Sequence, residues 1–592
     1  MILNFDNLKK TKKHFDFLKE KLKTDKFFLV GGVIRDLLLN IAEEPIKDID
    51  LTMPGNPHQI YKNIDKSDIH IFKTDKFGTI TILPEDKSCK YELTPLREEG
   101  QYLDFRHPEE IKWTTDLIKD SIRRDFTINS IYLTFLPGKV DIRNYQPLKP
   151  TKDKDLDEIF KIKLKKEKNL NIVTSNYFIS ILQDHDTIKN IVNLFYQNDS
   201  QKIKTIIQNF PIFSFEELNI SSLSIILLFD PQQWLIDLID GNIKAVWNPD
   251  NRFQEDALRI IRWVRFAIIL NEKIRKKFKN ITKVNNKKPP EQFRFDFETQ
   301  TWRSMKKNFY LIKFIAKERI KEEILRIFKW SNNPFGFIGL LDELNILKYI
   351  FPYLYQTKHI DQPVRYHPLD IYHHILITLY HLQQFNNDYL ARFWILYHDV
   401  AKPDQYRYAQ LGLTDEERKK MHWSYIHHPK QWADFVREDF KKLGFSKKEI
   451  EEIAWYVENH MKPGEWLRGK EKNIVKNLKK RIAEHWERKM KNLIDIAIAD
   501  RLGQYNPLQS PEIEGLKWMK KQIDKIIEEQ WQFKKSDLAI NGYDIMKEFN
   551  LEPWPQIWKL IDKAFQRVLE NPKERNKKDL ILKYLKKTKD LL

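Results

Sequence analysis

The sequence predicts an α/β domain at the N-terminus followed by a long, almost wholly helical body. Up to about residue 135, short β-rich runs alternate with helical stretches, and the predicted strands are FFLV at 27–30, TITIL at 79–83 and IYLTF at 131–135. After about residue 250, most stretches have the apolar period of amphipathic helices. At 592 residues the chain exceeds one hydrophobic core, so we expect several domains.

The charge balance favours a polyanionic partner. Lys and Arg number 103 against 84 Asp and Glu, a net charge of +19, which suits nucleic acid, although a solvated lysine-rich surface gives the same numbers. Cys89 is the only cysteine, so intrachain disulfides and a thiolate metal cluster are excluded. No run approaches the ~20 apolar residues of a membrane span, and the N-terminus lacks a signal-peptide core. We therefore expect a cytoplasmic protein without a membrane partner.

A glycine turn in FFLVGGVIRDLLL joins the first predicted strand to a helix that begins near Val33. Backbone N–H groups and a helix N-terminus would gather at Gly31-Gly32, which suits an anion such as phosphate. Close packing at a turn is the simpler explanation of two glycines taken alone.

A pair of aspartates follows in KDIDLTM. Side chains alternate along a strand, so Asp48 and Asp50 point to the same side. Two carboxylates that close are unfavourable without a cation, and a pair of divalent ions bridging them suits phosphoryl or nucleotidyl transfer. A solvated turn is the ordinary explanation of a lone Asp-x-Asp.

A third motif lies in FQEDALRIIRWVRFA at 253–267. On a predicted helix, Asp256 and Arg259 are three residues apart and share a face. The carboxylate accepts from an exocyclic amine and the guanidinium donates to ring acceptors, which suits cytosine and adenine. An ordinary salt bridge between the two residues is the alternative.

Histidines and aspartates recur in the middle of the helical body. Imidazoles and carboxylates together suit a mono- or dinuclear transition-metal site that acts on phosphate esters, whereas any one of these histidines alone is more often structural. The residues are His374, His398, Asp399, His428 and Asp500, with His460 as a weaker candidate.

The order of these motifs resembles the class II tRNA nucleotidyltransferase and bacterial poly(A) polymerase family. Gly-Gly-x-x-Arg-Asp precedes Asp-x-Asp, RRDFTIN follows at 123–129, EDALR at 255–259 and ERIKEEILRIF at 318–328. The histidine and aspartate set resembles the HD phosphohydrolase superfamily, which many bacterial members carry behind the transferase. The resemblance implies an α/β, polymerase-β-like nucleotidyltransferase head followed by an all-α body that includes an HD domain.

The resemblance also implies a role for each motif residue. Asp48 and Asp50 would hold two Mg²⁺ ions, and Glu92 or Asp104 could supply a third carboxylate. The HD ligands would be His374, His398, Asp399 and Asp500, and His428 would be a further ligand or a substrate contact. Lys402 would lie near phosphate, and Pro429 stands where an acidic residue is common. Glu255 would support base recognition by Asp256 and Arg259. The expected nucleotide-binding residues are Gly31, Gly32, Arg35, Arg123, Arg124, Asp125, Asn129, Asp256, Arg259 and Arg262.

The resemblance is interrupted by a charge-dense segment whose second half has helical apolar periodicity, and we interpret it as an insertion of unknown role. The expected division is a head (palm) at 1–137, the insertion at 138–228, the end of the head and the nucleotide-selecting neck at 229–270, a helical neck and body at 271–355, an HD-type domain at 356–510 and a C-terminal tRNA-binding body or tail at 511–592.

The expected function is template-independent addition of CMP and AMP, from CTP and ATP, to the 3′ end of tRNA. A phosphohydrolase activity with a transition metal at the HD site could accompany it. A poly(A) polymerase or A-adding enzyme is one alternative, and an HD phosphohydrolase with an RNA-binding relic as its head is another. A non-catalytic RNA scaffold would not need both the carboxylates and the histidines.

Overall fold

The computed structural model divides the chain into two compact units, Met1–Ile315 and Ala316–Leu592. It describes residues 3–74, 78–100, 111–141, 156–174, 177–214, 222–285, 294–360, 369–400, 402, 428–485, 487–504, 511–528, 535–551, 556–569 and 572–587. The first unit is α/β and the second is helical throughout these residues, so the predicted fold class is confirmed.

The first unit is built on one mixed sheet, which has ten strands within the described residues, in the order β11-β9-β10-β12-β8-β1-β2-β5-β4-β3. The strands are β1 Phe28–Val30, β2 Asp48–Thr52, β3 Ile69–Thr74, β4 Thr79–Pro84, β5 Lys90–Leu93, β6 Arg97–Glu99, β7 Ile111–Trp113, β8 Tyr132–Asp141, β9 Asn169–Val173, β10 Tyr177–Leu182, β11 Ile212–Ser214, β12 Ser222–Phe229, β13 Asn242–Ile243 and β14 Asp296–Phe297. Two small sheets pair β6 with β7 and β13 with β14.

The middle of the large sheet explains why two carboxylates face one side. In β2, Ile49 and Leu51 are buried, while Asp48 and Asp50 alternate with them and are exposed. β2 runs antiparallel to β1 and parallel to β5. This pairing brings the strand that ends at the glycine turn next to the strand that carries both aspartates.

The segment 138–228 continues the sheet of the head. β12 runs antiparallel to β8 along its whole length, and β10, β9 and β11 extend the sheet beyond it. Its buried side chains share a core with the head, where Phe195 packs against Phe28 with ring centroids 5.5 Å apart. The second half of the segment therefore contains strands as well as helices, which differs from the helical periodicity expected from its sequence.

Helices cover the sheet and lead away from it. In the first unit they are α1 Lys12–Leu22, α2 Gly32–Leu38, α3 Pro57–Asn63, α4 Leu117–Ile122, α5 Leu156–Glu167, α6 His185–Tyr196, α7 Ser200–Gln208, α8 Trp234–Asp240, α9 Pro249–Glu255, α10 Leu258–Asn285 and α11 Thr299–Asn308. Short 3-10 helices lie at Phe5–Thr11, Thr127–Asn129 and Phe309–Phe314.

The second unit is a body of amphipathic helices. In α12, for example, Ile320, Ile324 and Ile327 recur at helical spacing and are buried. The helices are α12 Lys317–Trp330, α13 Pro334–Glu343, α14 Leu347–Ile350, α15 Pro352–Gln356, α16 Ile371–Leu382, α17 Tyr389–Ile395, α18 His428–Lys442, α19 Lys447–Asn459, α20 Lys462–Leu467, α21 Glu471–His485, α22 Glu487–Leu502, α23 Pro511–Glu528, α24 Gly542–Phe549, α25 Gln556–Leu569, α26 Pro572–Arg575 and α27 Lys578–Lys587. Among the described helices, none is both long and apolar enough to cross a bilayer.

Candidate active site and metal centre

The glycine turn and the aspartate pair meet at the end of β1. Val30 lies opposite Asp50 in the register of β1 and β2, so the turn at Gly31 begins beside that carboxylate. Gly31 has φ +87°, and a Cβ at this position would come within 2.8 Å of an Asp50 carboxylate oxygen. Both its backbone conformation and its closeness to Asp50 therefore require glycine.

A third carboxylate stands next to the pair. Glu92 of β5 lies directly opposite Asp50, and its side chain is bonded to Lys90. Asp50 is exposed, but the protein atoms around its carboxyl keep water away from it. This desolvation, together with repulsion from Asp48 and Glu92, is stronger than the attraction of Arg124. It raises the pKa of Asp50 to about 6. A cation bound here would relieve that repulsion, which fits the hard, oxygen-liganded Mg²⁺ ion. Asp104, the other candidate, lies outside the described residues.

The two arginines of RRDFTIN are held by one aspartate that the motif analysis did not single out. Asp120 is fully buried, and its carboxylate accepts from the Arg123 Nε at 2.7 Å and the Arg124 Nε at 3.1 Å. The Tyr132 hydroxyl also donates to it, at 2.8 Å. Burial disfavours its charge, but the two arginines outweigh burial and lower the pKa of Asp120 to about 2. Asp120 lies on α4, three and four residues before the arginines that follow this helix, and that spacing could have indicated the contact.

The residues after the glycines connect the head to helix α10. Arg35 donates to Asp36 and to the Asn129 side chain, both at 2.7 Å, and its guanidinium lies 4.8 Å from the centre of the Phe266 ring. Lys273 of α10 donates to Asp36 at 2.8 Å. Arg35 and Asn129, which the resemblance assigns to the nucleotide, therefore also bond to each other.

Asp125 contacts two arginines of α10. Its two carboxylate oxygens each accept at 2.7 Å, one from the Arg259 Nε and the other from the Arg262 Nη1. Arg259 also donates to Glu255 at 2.6 Å and to the carbonyl of Arg252 at 2.9 Å. Although burial opposes its charge, the two arginines hold the pKa of Asp125 well below its usual value.

The nucleotide-selecting motif does not lie on one continuous helix, contrary to the sequence-based expectation. Asp256 adopts an extended conformation, with φ −147° and ψ 99°, between the end of α9 and the start of α10. Its carboxylate accepts from the backbone N–H of Leu258 at 3.1 Å, as an N-capping aspartate does. Asp256 thus lies at the head of α10, and Arg259 follows in its first turn.

In the second unit, four of the predicted ligands converge. His374 comes from α16, His398 and Asp399 from the residues after α17, and Asp500 from α22. The Nε2 atom of His374 lies 3.2 Å from that of His398, 3.1 Å from an Asp500 oxygen and 3.6 Å from an Asp399 oxygen. Ligand atoms about 2.1 Å from one ion lie roughly 3.0–3.4 Å apart. The spacing is therefore that of ligands around one metal ion.

The backbone fixes which nitrogen each imidazole presents. The His374 Nδ1 donates to the carbonyl of Gly503 at 3.2 Å, and the His398 Nδ1 donates to that of Ile395 at 2.7 Å. Their Nε2 atoms then face each other and the Asp500 carboxylate, an arrangement that favours a cation between them, whether a metal ion or a proton on one imidazole. Gly503 permits this packing, because a Cβ there would approach the Thr378 hydroxyl to 2.3 Å.

Three other residues predicted for this centre are Lys402, His460 and His428. Lys402 is bonded to Asp399 and, against the effect of burial, helps to hold the pKa of the Asp399 carboxyl below its usual value. The buried His460 donates from Nδ1 to the carbonyl of Val457 at 2.6 Å, and burial together with the nearby His398 lowers its pKa. His428 begins α18, but its side chain is outside the described part of the structure.

Three family models match consecutive parts of the chain. The model described as "Poly A polymerase head domain" matches residues 27–145. The model described as "Probable RNA and SrmB-binding site of polymerase A" matches residues 294–357, and that described as "HD domain" matches residues 371–503. The matches cover the carboxylate site and the His/Asp centre.

Several curated relatives are CCA-adding enzymes. The chain is 28% identical over 346 residues to the CCA-adding enzyme of Staphylococcus saprophyticus, which covers 58% of this chain and 55% of that protein. It is 24% identical over 408 residues to the CCA-adding enzyme of Staphylococcus haemolyticus, covering 68% and 70% respectively. The chain spans about half the length of the first two curated relatives that it matches, 55% and 51%.

A solved structure supports the fold. The crystal structure of the Bacillus stearothermophilus CCA-adding enzyme in complex with CTP covers 98% of both chains, with a TM-score of 0.55 and 15% identity. The match to a poly(A) polymerase head, together with the named relatives, indicates a nucleotidyltransferase. The chain is thus similar to CCA-adding enzymes, and it combines a match to a poly(A) polymerase head with a match to an HD domain.

Proposed function

We propose that this protein adds C and A to the 3′ end of tRNA without a nucleic-acid template. The observation that carries the proposal is the cluster of Asp48, Asp50 and Glu92 beside the turn at Gly31. Three neighbouring carboxylates next to a glycine turn suit the site at which an RNA hydroxyl attacks the α-phosphate of a nucleotide and pyrophosphate leaves.

Asp48 and Asp50 would hold two Mg²⁺ ions, and Glu92 would add the third carboxylate. Bound Mg²⁺ would lower the pKa of the attacking hydroxyl and neutralise charge on the leaving pyrophosphate. Arg123 and Arg124, both oriented by Asp120, would contact the triphosphate and ribose. Gly31 and Gly32 would let the nucleotide phosphates approach the backbone.

Base selection is assigned to the start of α10. Asp256 would accept from the exocyclic amine of cytosine or adenine, and Arg259 would donate to the adjacent ring acceptors. Uracil and guanine present a carbonyl where the amine would be, so they would face the Asp256 carboxylate unfavourably. Asp125 is bonded to both Arg259 and Arg262. We therefore assign it to the positioning of these arginines, which revises the direct nucleotide contact expected from the resemblance, and Glu255 shares this role.

A second activity is proposed for the HD centre. The unfavourable approach of the His374 and His398 nitrogens fits a bound transition metal, with Asp399 and Asp500 completing the ligand set. Such a metal would activate water for attack on a phosphate ester. Lys402, bonded to Asp399, would help to bind that ester.

The direct test of the transferase site uses tRNA that ends at the discriminator base. Asp50→Asn should abolish the addition of CMP from labelled CTP, because a metal-holding carboxylate is lost while the strand is kept. Asp86→Asn is the matched control, since Asp86 is an exposed aspartate of the same unit. Addition that survived in Asp50→Asn would overturn the proposal and would favour an HD phosphohydrolase with an RNA-binding relic as its head.

The two proposed activities can be tested independently. Asp399→Asn should remove hydrolysis of a 2′,3′-cyclic nucleotide and leave nucleotide addition intact, and Asp50→Asn should do the reverse. Loss of both activities in either variant would contradict two separate sites. Failure of the wild-type protein to incorporate CTP, with ATP still used, would favour the poly(A) polymerase or A-adding alternative.

A further inference from the structure

Helix α6 of the segment 138–228 shares a hydrophobic core with the part of the head that carries the arginine motif. We propose that this segment keeps Arg123 and Arg124 in position for the nucleotide triphosphate, and that Tyr196 is its main positioning residue. The inference rests on the proposed function and adds a role for the segment, most of which lies outside the three matched family models.

The last two residues of α6 pack against β1, the strand that leads to the glycine turn. The ring centroids of Phe195 and Tyr196 lie 5.5 Å and 6.4 Å from that of Phe28. Lys26, two residues before β1, donates to the backbone carbonyl of Phe195, and its Nζ lies 4.4 Å from the centre of the Phe195 ring. Phe28 is fully buried in a closely packed core, so a displacement of α6 would be transmitted to β1.

The same aromatic cluster continues to the aspartate that holds the arginines. The Tyr132 ring lies edge to face with that of Phe28, with centroids 6.4 Å apart. The Tyr132 hydroxyl donates to Asp120 at 2.8 Å, and the Arg124 guanidinium lies 5.1 Å from the centre of the Tyr132 ring. Tyr132 and Asp120 are fully buried, so the side chains packed around them fix their positions. A continuous line of packed side chains therefore joins α6 to Arg124.

The hydroxyl group of Tyr196 lies near enough to Asp120 to respond to its charge. The hydroxyl oxygen is buried, and within the described residues it has no hydrogen-bond partner. Burial, together with the negative charges of Asp120 and Asp116, raises the pKa of the Tyr196 hydroxyl. Since a buried phenol normally has a partner, and this one has none to lose in that part of the chain, the packed ring should carry the contribution of Tyr196.

A polar connection accompanies the aromatic one. At the end of β10, Gln183 donates to Asp230 at 2.6 Å. Two residues after Asp230, in the same turn, Gln232 donates to the Ser121 hydroxyl at 2.8 Å. Ser121 follows Asp120 in α4. The segment is therefore joined to the helix that carries Asp120 by hydrogen bonds as well as by packed rings.

Displacement of Asp120 would change how the protein binds a triphosphate. Its carboxylate holds Arg123 and Arg124 by charge-assisted hydrogen bonds, whose strength depends on geometry. Misoriented arginines bind phosphate less well in the ground state and in the transition state alike, so KM for the nucleotide rises while kcat is retained. A segment that only stabilised the fold would instead change the amount of active protein and leave KM unchanged.

The test measures KM for CTP in nucleotide addition and, by calorimetry with Mg²⁺ present, the Kd for inorganic tripolyphosphate. Tyr196→Ala should raise both by roughly tenfold, about the effect of one lost hydrogen bond to a charged group. The kcat and the KM for tRNA should stay within about twofold of wild type. Tyr196→Phe should restore both triphosphate measurements, because the packed ring is kept.

The matched control is Tyr177→Ala, which removes another half-buried tyrosine of the same segment. The Tyr177 ring packs against Phe135, with centroids 5.9 Å apart. Phe135 follows Tyr132 by three residues in β8 and so faces the other side of the sheet. Tyr177→Ala should therefore leave both KM for CTP and the Kd for tripolyphosphate unchanged.

Two results would overturn the inference. One is an unchanged KM for CTP and an unchanged Kd for tripolyphosphate in Tyr196→Ala. The other is an equal rise in Tyr177→Ala, because any damage to the segment would then have the same effect. If circular dichroism shows that Tyr196→Ala is unfolded, the same criteria apply to Tyr196→Leu, which keeps more of the apolar volume.

Failure of this inference can be distinguished from failure of the proposed function. If the wild-type protein adds C and A to tRNA and Tyr196→Ala behaves as wild type, only the positioning role is wrong. If the wild-type protein adds no nucleotide but Tyr196→Ala weakens tripolyphosphate binding, the positioning role is supported and the proposed function fails. If the wild-type protein neither adds nucleotides nor binds tripolyphosphate, both are wrong.

Discussion

Asp125→Asn is the substitution whose effect the structure defines most fully. Asp125 joins the arginine motif of the head to α10 through Arg259 and Arg262, at 2.7 Å to each. The amide keeps the shape of the side chain and one acceptor oxygen, but it loses the negative charge and one of the two bonds. Arg259 then loses part of the orientation in which it would meet a base.

The size of the effect follows from that geometry. A hydrogen bond to a charged group contributes about 1.5–3 kcal/mol, and at least one is lost. The Asp125 side chain is 24% exposed and that of Arg262 is 30% exposed, so water compensates in part. We expect a loss near the lower limit, about 1.5 kcal/mol, which corresponds to roughly tenfold in the population of correctly oriented Arg259.

The assay is the ratio of kcat/KM for CTP to that for UTP on the same tRNA. Asp125→Asn should lower this ratio about tenfold, and Asp125→Glu should restore part of it. The ratio for CTP to dCTP should not change, because Asp125 acts through the arginines. Lys273→Ala is the control, since it removes another ion pair between α10 and the head, with Asp36. A changed CTP-to-dCTP ratio with an unchanged CTP-to-UTP ratio would refute the reasoning and indicate direct ribose contact.

Three further predictions concern other parts of the molecule. Glu92→Gln should lower kcat by roughly 100-fold and raise the Mg²⁺ concentration that the reaction requires. Glu98→Gln, which alters an exposed ion pair with Lys119, should do neither. Equal kinetics of the two variants would contradict the role of Glu92 as a third metal-binding carboxylate. His398→Asn should lower the transition-metal content measured by mass spectrometry without changing nucleotide addition, and retained metal would contradict the ligand set. Burial, with a smaller effect from a neighbouring lysine, lowers the pKa of His14 to about 4. The contribution of neutral His14 to the free energy of unfolding should therefore be complete above pH ~6.5. It should be lost as the pH falls towards 4, by up to about 1.4 kcal/mol per pH unit. The test measures the urea midpoints of unfolding for wild type and His14→Gln at several pH values. Midpoints that change in parallel with pH in the two proteins would contradict the prediction.

The strands of the head could be predicted from sequence, but those of 138–228 could not. Apolar and polar residues alternate in these runs, IYLTF and TITIL, or the runs lie between clear turn signals. Both runs form strands at the expected places. β10 and β12 are nearly continuous apolar runs, YFISIL and SLSIILLF, because neighbouring elements cover them on both sides of the sheet. Periodicity alone cannot distinguish such a run from a buried helix.

The candidate site could be predicted where its geometry is local. The same-side placement of Asp48 and Asp50 follows from the strand period, and the strand is observed. The break at Asp256 was missed because the surrounding apolar pattern is helical on both sides, although aspartate is a favoured N-cap. Contacts such as Arg35 to Asn129 join residues 94 positions apart, and only the folded sheet brings them together.

The most direct test of the central claim is the sequence of the 3′ ends that the purified protein produces. tRNA ending in the discriminator base would be incubated with CTP and ATP together, and its new ends sequenced. Addition of C-C-A and then arrest would support a carboxylate site that selects C and A without a template. Tails of A alone, or unchanged ends, would contradict it.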